Sequence, residues 1–218
     1  MIKNLKNKKN LIISHIADID GVSAVVLAKL FIKNIDYILV ELSELDDVIK
    51  ELITTKLYAN YETIYVTDLG FSDQAINLIL KAPAFKNKIK HFDHHVTEEK
   101  NNIYDFVNEV SKTGDHLNSG TSLFYDYLKL NYKNKSLSSG YIATFVAAVR
   151  CRDIWDKNKK EFKIGNDLAT YFTIFGPGIY INHFLIIPKN TKEFNFIRED
   201  QTLIDNHNKA MANYISKM

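Results

Sequence analysis

Cysteine is almost absent from this chain. Cys151 is the only one, so no internal disulfide can form, and a reducing cytoplasm is the expected home. There is no excess of one charge either. With 28 basic and 26 acidic residues the net charge is +2, which excludes the general basic field behind non-specific nucleic-acid binding and leaves only local patches. No apolar run reaches the length of a membrane span, so no membrane partner is expected. The lysine-rich start (Lys3, Lys6, Lys8, Lys9) leads into an apolar segment that His15 and Asp18 interrupt too soon for a secretory signal. Glycine-rich runs are missing as well; after Gly165 the one glycine-dense spot is Gly176-Pro177-Gly178, which reads as a turn between two apolar segments. What remains is 218 residues with 46% hydrophobic content, enough for one large domain or for one domain with an appendage.

Strand and helix patterns alternate along the first half. Asn10 to Ser14 is a continuous apolar run of the kind that forms a buried parallel strand, and it ends in His15-Ile16-Ala17-Asp18-Ile19-Asp20-Gly21. Val22 to Lys33 has helical spacing, Asp36 to Leu42 is a second strand, and Ser43 to Thr55 is a second helix with Ser43 as its N-cap. Thr63 to Thr67 is a third strand ending at Asp68. Ser72-Asp73-Gln74 opens a third helix that stops near Pro83, and Lys88 to Phe92 is a fourth strand running out into Asp93-His94-His95. This order predicts an α/β fold with a doubly wound, mainly parallel, five-stranded sheet flanked by helices, followed by a mostly helical C-terminal part.

In such a sheet the carboxyl ends of the strands share one rim, where ligands bind. His15, Asp18 and Asp20, then Asp68, then Asp93, His94 and His95 would converge there. A strongly apolar helix from Gly140 to Val149 delivers Arg150-Cys151-Arg152-Asp153 at its end, where the helix dipole disfavours a carboxylate and a cation would offset the cost. Together these residues offer mixed oxygen and nitrogen ligands in the number two divalent metals need. Two such ions sharing a carboxylate are the usual apparatus for activating water against a phosphoryl centre. The ligand mix suits manganese, with magnesium or cobalt as alternatives. Cys151, helical and within an apolar stretch, reads as core and not as a nucleophile. The start of the helix at Gly120 offers Ser119, Thr121 and Ser122, which read as capping groups whose backbone N–H groups could also meet a phosphate.

Ser14-His15 through Asp18-Ile19-Asp20-Gly21, then Val66-Thr67-Asp68-Leu69-Gly70, then Asp93-His94-His95, then Arg152-Asp153-Ile154-Trp155 resemble, in order, the four motifs of the DHH phosphoesterase superfamily. That family includes RecJ-type exonucleases, oligoribonucleases, cyclic-dinucleotide phosphodiesterases and manganese-dependent pyrophosphatases. The resemblance implies one metal held by His15, Asp18 and Asp68, and a second held by Asp20, Asp68, His94 and Asp153, with Asp68 as the bridge. His95 would face the substrate phosphate, and Asp93 would orient a ligand histidine. His15 lies three residues before Asp18, whereas many members place that histidine four before.

The resemblance further implies a catalytic domain over residues 1–190. Residues 191–218 would then be a helical linker, or the start of a missing C-terminal domain that carries the family's glycine-rich substrate motif. The expected activity is metal-dependent hydrolysis of phosphoester bonds in short single-stranded oligonucleotides or a related cyclic dinucleotide, with Arg150 and Arg152 as phosphate-binding candidates. A pyrophosphatase-like hydrolase and a non-catalytic nucleotide-binding module are the alternatives, and a homodimer is left open. A receiver-like phosphorylation domain would have no use for the histidine pair.

Overall fold

The computed structural model describes residues 9–95, 101–186 and 192–217. Four parallel strands, β1 (Lys9–His15), β2 (Ile35–Val40), β3 (Tyr61–Thr67) and β4 (Ile89–Phe92), form a sheet in the order β2-β1-β3-β4. The apolar runs pack on both faces, as sheets covered on each side by helices require. Ile12, Tyr65 and Phe92 face one core. Leu11, Ile13, Ile64, Val66 and Ile89 face the other.

The first core is roofed by α1 (Ile19–Phe31), α5 (Gly120–Asn131), α6 (Gly140–Asp153), α7 (Glu161–His183) and α8 (Arg198–Ile215). The second lies under α2 (Leu45–Thr54), α3 (Asp73–Leu80) and the short α4 (Pro83–Lys86). Ser72 caps α3 by accepting from the Ala75 N–H at 3.0 Å. Ser43 does not cap α2: it sits inside a 3₁₀ turn, Leu42–Glu44, that Glu41 and Glu44 close reciprocally. The turn expected at Gly176-Pro177 is a sharp break within α7, with Gly176 at φ +73° and a proline that cannot continue the helix ladder.

Among the described residues the main sheet has four strands, not the five expected. The place beside β4 is taken by the segment around Glu109, which pairs only once, at Asp93: the Asp93 N–H donates to Asn108 O at 3.1 Å and the Val110 N–H donates to Asp93 O at 2.8 Å. The chain then folds on itself as a two-residue hairpin, β5 (Lys112–Thr113) with β6 (His116–Leu117), and the ladder cannot extend. Among the described residues no helix is long and apolar enough to cross a membrane.

From β1 the chain winds outward to β2 in one direction and to β3 and β4 in the other. The switch in winding lies between β1 and β3, and a crevice opens there at the strand carboxyl ends. His15 ends β1 and Asp68 follows β3, so these two side chains flank it.

Candidate metal centre

The loop after β1 turns sharply into α1. Asp18 caps that helix, its Oδ1 accepting from the N–H groups of Asp20 (2.8 Å) and Gly21 (3.4 Å). Its other oxygen faces His15 Nδ1 at 3.9 Å, so capping the helix leaves that oxygen turned toward the histidine. Gly21 is required here because a Cβ would stand 2.2 Å from the His15 carbonyl oxygen.

Asp20 is fully buried, and an element a hundred residues away supports it. Gly120 and Thr121, the first two residues of α5, donate backbone N–H groups to its Oδ2 (2.6 Å) and Oδ1 (3.1 Å). The start of α5 therefore serves a carboxylate of the protein itself, not a substrate phosphate. Thr121 also bonds the Asp20 carbonyl through its hydroxyl, and Ser119 and Ser122 close a reciprocal capping box, as read from the sequence. A Cβ on Gly120 would lie 2.8 Å from the Cβ and backbone nitrogen of Asp68.

Asp68 sits at the centre. It is buried, in the left-handed region at φ +56°, with its N–H donating to Phe92 O at 2.9 Å. Its Oδ2 lies 3.6 Å from His15 Nδ1 and its Oδ1 3.5 Å from His94 Nε2. His94 Nε2 also stands 3.3 Å from Asp153 Oδ2 and 3.9 Å from Asp20 Oδ2. Three groups of possible ligand atoms lie around it, each with its atoms within 4.8 Å of one another: His15, Asp18, Asp68; Asp20, His94, Asp153; and Asp68, Asp93, His94, His95; a fourth, His91, Asp93 and Glu109, is buried behind them. Asp68 Oδ2, His94 Nε2 and Asp153 Oδ2 are buried without a hydrogen-bond partner among the described residues. Buried polar atoms are seldom left so. A pair of divalent cations would satisfy all three at once, and the donor set of carboxylate oxygens and imidazole nitrogens suits them.

The protonation states agree. The Asp68 carboxylate lifts His15 to about 9. Burial opposes a charge on His94, but Asp68 and Asp153 prevail and lift it to about 9. Burial, followed by the charge of Asp68, pushes Asp20 well above the usual carboxylate range; burial raises Asp18 and carries Asp153 to about 7. Burial would raise Asp68 too, yet its contacts with His15 and His94 hold it below the ordinary value. Protons therefore occupy the cluster where cations would, and a metal would displace them.

Asp93 is fully buried and accepts from His95 Nδ1 at 2.7 Å. It orients the half-exposed His95, not His15 or His94, and raises the His95 pKa. His95 lines a cleft of about 340 Å³ with His15, Asp68, Leu42 and Ser72. On the opposite side, Arg152 lines a cleft of about 380 Å³ with Asp18, Asp20 and Asp153. Arg150 turns away, donating to Leu117 O in the β5–β6 hairpin at 3.4 Å. Neither arginine takes up Asp153, whose cationic partner among the described residues is His94.

No family model matches the chain, and no curated protein does. Among solved structures, an uncharacterized protein from Helicobacter pylori G27 shares the fold, with a TM-score of 0.65 and 19% sequence identity over 91% of this chain. The match spans 60% of the length of that protein.

Two neighbours of the cluster escape a motif-based reading. Glu41 follows β2 on the same rim and places Oε2 3.5 Å from His15 Nε2; the convergence of strand ends would have found it. His91 is occupied structurally. Its Nε2 donates to Leu69 O at 2.7 Å and its Nδ1 accepts from the Asn108 N–H at 3.2 Å, so both ring nitrogens are spent, and burial lowers its pKa.

Proposed function

We propose that this chain is a phosphodiesterase dependent on two divalent cations, manganese foremost, that hydrolyses phosphoester bonds of short oligonucleotides or a related nucleotide. The observation that carries it is the double reach of Asp68, with one oxygen toward His15 and the other toward His94, which joins two ligand groups at a shared carboxylate. His15, Asp18 and Asp68 would hold one cation, and Asp20, Asp68, His94 and Asp153 the other. The cations would supply Lewis acidity toward the phosphoryl oxygens and lower the pKa of the attacking water.

The protein contributes the rest. The start of α5 fixes the position of the Asp20 carboxyl group before any ligand arrives. The 2.7 Å bond from His95 Nδ1 to Asp93 sets the imidazole with Nε2 free to meet a non-bridging phosphate oxygen or to give a proton to the leaving group. Arg152 brings a fixed positive charge to the edge of the same centre.

The test is hydrolysis of bis(nitrophenyl) phosphate, a dinucleotide and pyrophosphate, each with chelator and with manganese. Turnover of the two diesters only with metal, lost in Asp68→Asn, supports the reading. Preference for pyrophosphate would favour phosphoanhydride hydrolysis instead. No metal-dependent turnover of any of the three would sink it, and metal binding without turnover would leave a nucleotide-binding module.

A further inference from the structure

The cleft beside Asp18, Asp20 and Asp153 does not end at Arg152. Arg152, Ala169 and Thr173 line it and also line a second cavity, of about 440 Å³, between α7 and α8. Its remaining walls include Asn166, Thr170, His207 and Asn208. The two spaces adjoin at these three residues, between the candidate metal centre and the α7–α8 seam, and each is within the size range of small-ligand sites.

The groove is polar where helix packing does not require it. Asn166, Thr170 and Thr173 recur along α7 at spacings of four and three, which puts them on one helical face. Elsewhere the same pair of helices shares the apolar core, with Leu168 of α7 and Ile204 of α8 both buried in it, and Tyr171 of α7 lies 5.8 Å from the ring of Phe196 just before α8. One bond crosses the groove, from Thr170 Oγ1 to Asn208 Oδ1 at 3.2 Å, and it leaves the Asn208 NH₂ group unspent. The Asn166 side chain makes no hydrogen bond among the described residues. Arg152 stands where the two spaces meet, its guanidinium 4.3 Å from the Trp155 ring centre and its Nε buried without a hydrogen-bond partner. Gly165 lets α7 approach closely here, since a Cβ would come within 2.6 Å of Arg152 Cβ.

We propose that the α7–α8 groove is a nucleoside subsite. Arg152 meets the phosphate at the edge of the metal centre, and the amide and hydroxyl groups of Asn166, Thr170 and Asn208 take the sugar hydroxyls and base edge of the attached nucleoside. The chemistry selects this class. Neutral donors and acceptors in a row match a sugar and a base, and inorganic pyrophosphate has no use for them. The inference rests on the phosphodiesterase reading, and the experiment separates the two.

Trp155 is the only tryptophan and is 53% exposed, so its emission reports on ligands that reach Arg152. The titrants are adenosine monophosphate, ribose 5-phosphate and inorganic phosphate, each with chelator and with manganese. Adenosine monophosphate is expected to bind at least about tenfold more tightly than inorganic phosphate. The double variant Asn166→Ala/Asn208→Ala should erase about tenfold of that preference, the loss of two neutral hydrogen bonds, with a thermal midpoint lowered only by the loss of the exposed Thr170–Asn208 bond. In turnover, its kcat/KM for a dinucleotide should fall relative to that for bis(nitrophenyl) phosphate. Equal binding of the nucleotide and phosphate, or a double variant that keeps the preference, would overturn the subsite even if both diesters are hydrolysed. A preference that the variant erases, without turnover of any diester, would keep the subsite and remove the phosphodiesterase reading.

Discussion

Raising the pH of the protein in chelator should destabilise it. Wherever the native state binds more protons than the unfolded chain, stability falls as pH rises. His94 titrates at about 9 in the fold, against an ordinary value of 6.5, so its contribution is complete below 6.5 and is lost as pH climbs through 9. At about 1.4 kcal/mol per pH unit, that interval makes His94 worth about 3 kcal/mol. Its side chain is only 15% exposed, so solvent screens little of this. His15 moves the same way, also to about 9, but it leans on the same Asp68 carboxylate, so the two contributions do not simply add. Asp153, raised to about 7, acts in the same direction at lower pH, since its protonated form is the one the fold favours. The assay is urea unfolding in chelator from pH 6 to pH 9. The expected result is a loss of about 3 kcal/mol across that interval, much reduced in Asp68→Asn, where the anion that holds both histidines is gone. A profile that is flat, or that rises with pH, would refute the electrostatic account of the cluster.

Further expectations concern single positions. Adding manganese to metal-free protein in weak buffer at pH 7.5 should release about two protons, because the two histidines that titrate at about 9 must give theirs up; a pH electrode reads this directly, and no release would count against ligation by His15 and His94. Gly120→Ala should cost about 1–3 kcal/mol in urea unfolding, since the new Cβ meets backbone atoms of Asp68 at 2.8–2.9 Å that cannot swing aside. Asp93→Asn should lower the pKa of His95, followed by proton NMR of the imidazole, because Asp93 is the main cause of its rise; an unmoved His95 would show that the 2.7 Å bond does not orient the ring.

The strands at the heart of the sheet were legible because their apolar runs are short, unbroken and bounded by acidic turns. Their parallel order followed from alternation with helices, and from it the meeting of His15, Asp68 and His94 on one rim. The fifth strand was not legible as missing: the edge beside β4 reduces to a single bridge at Asp93 because the chain bends into a hairpin three residues after Glu109. The role of Gly120 could not be read locally either, since only the packing of α5 against α1 brings its N–H to Asp20. Ser119, Thr121 and Ser122 gave a correct signal for a helix start and a misleading one for a phosphate. Arg150 and Arg152 look equivalent in the sequence, and the turn of α6 alone separates the one that faces Asp18, Asp20 and Asp153 from the one that does not.

The left-handed backbone of Asp68 carries a further consequence. A non-glycine residue at φ +56° holds local strain that the rest of the fold must sustain, and aspartate and asparagine tolerate it better than most. Glycine would relieve both that strain and the burial of a charge. Above pH 9 in chelator, where His15 and His94 have lost the protons that compensate Asp68, Asp68→Gly is therefore expected to unfold at higher urea than the native chain, whereas at pH 6 the loss of those ion pairs should leave it less stable.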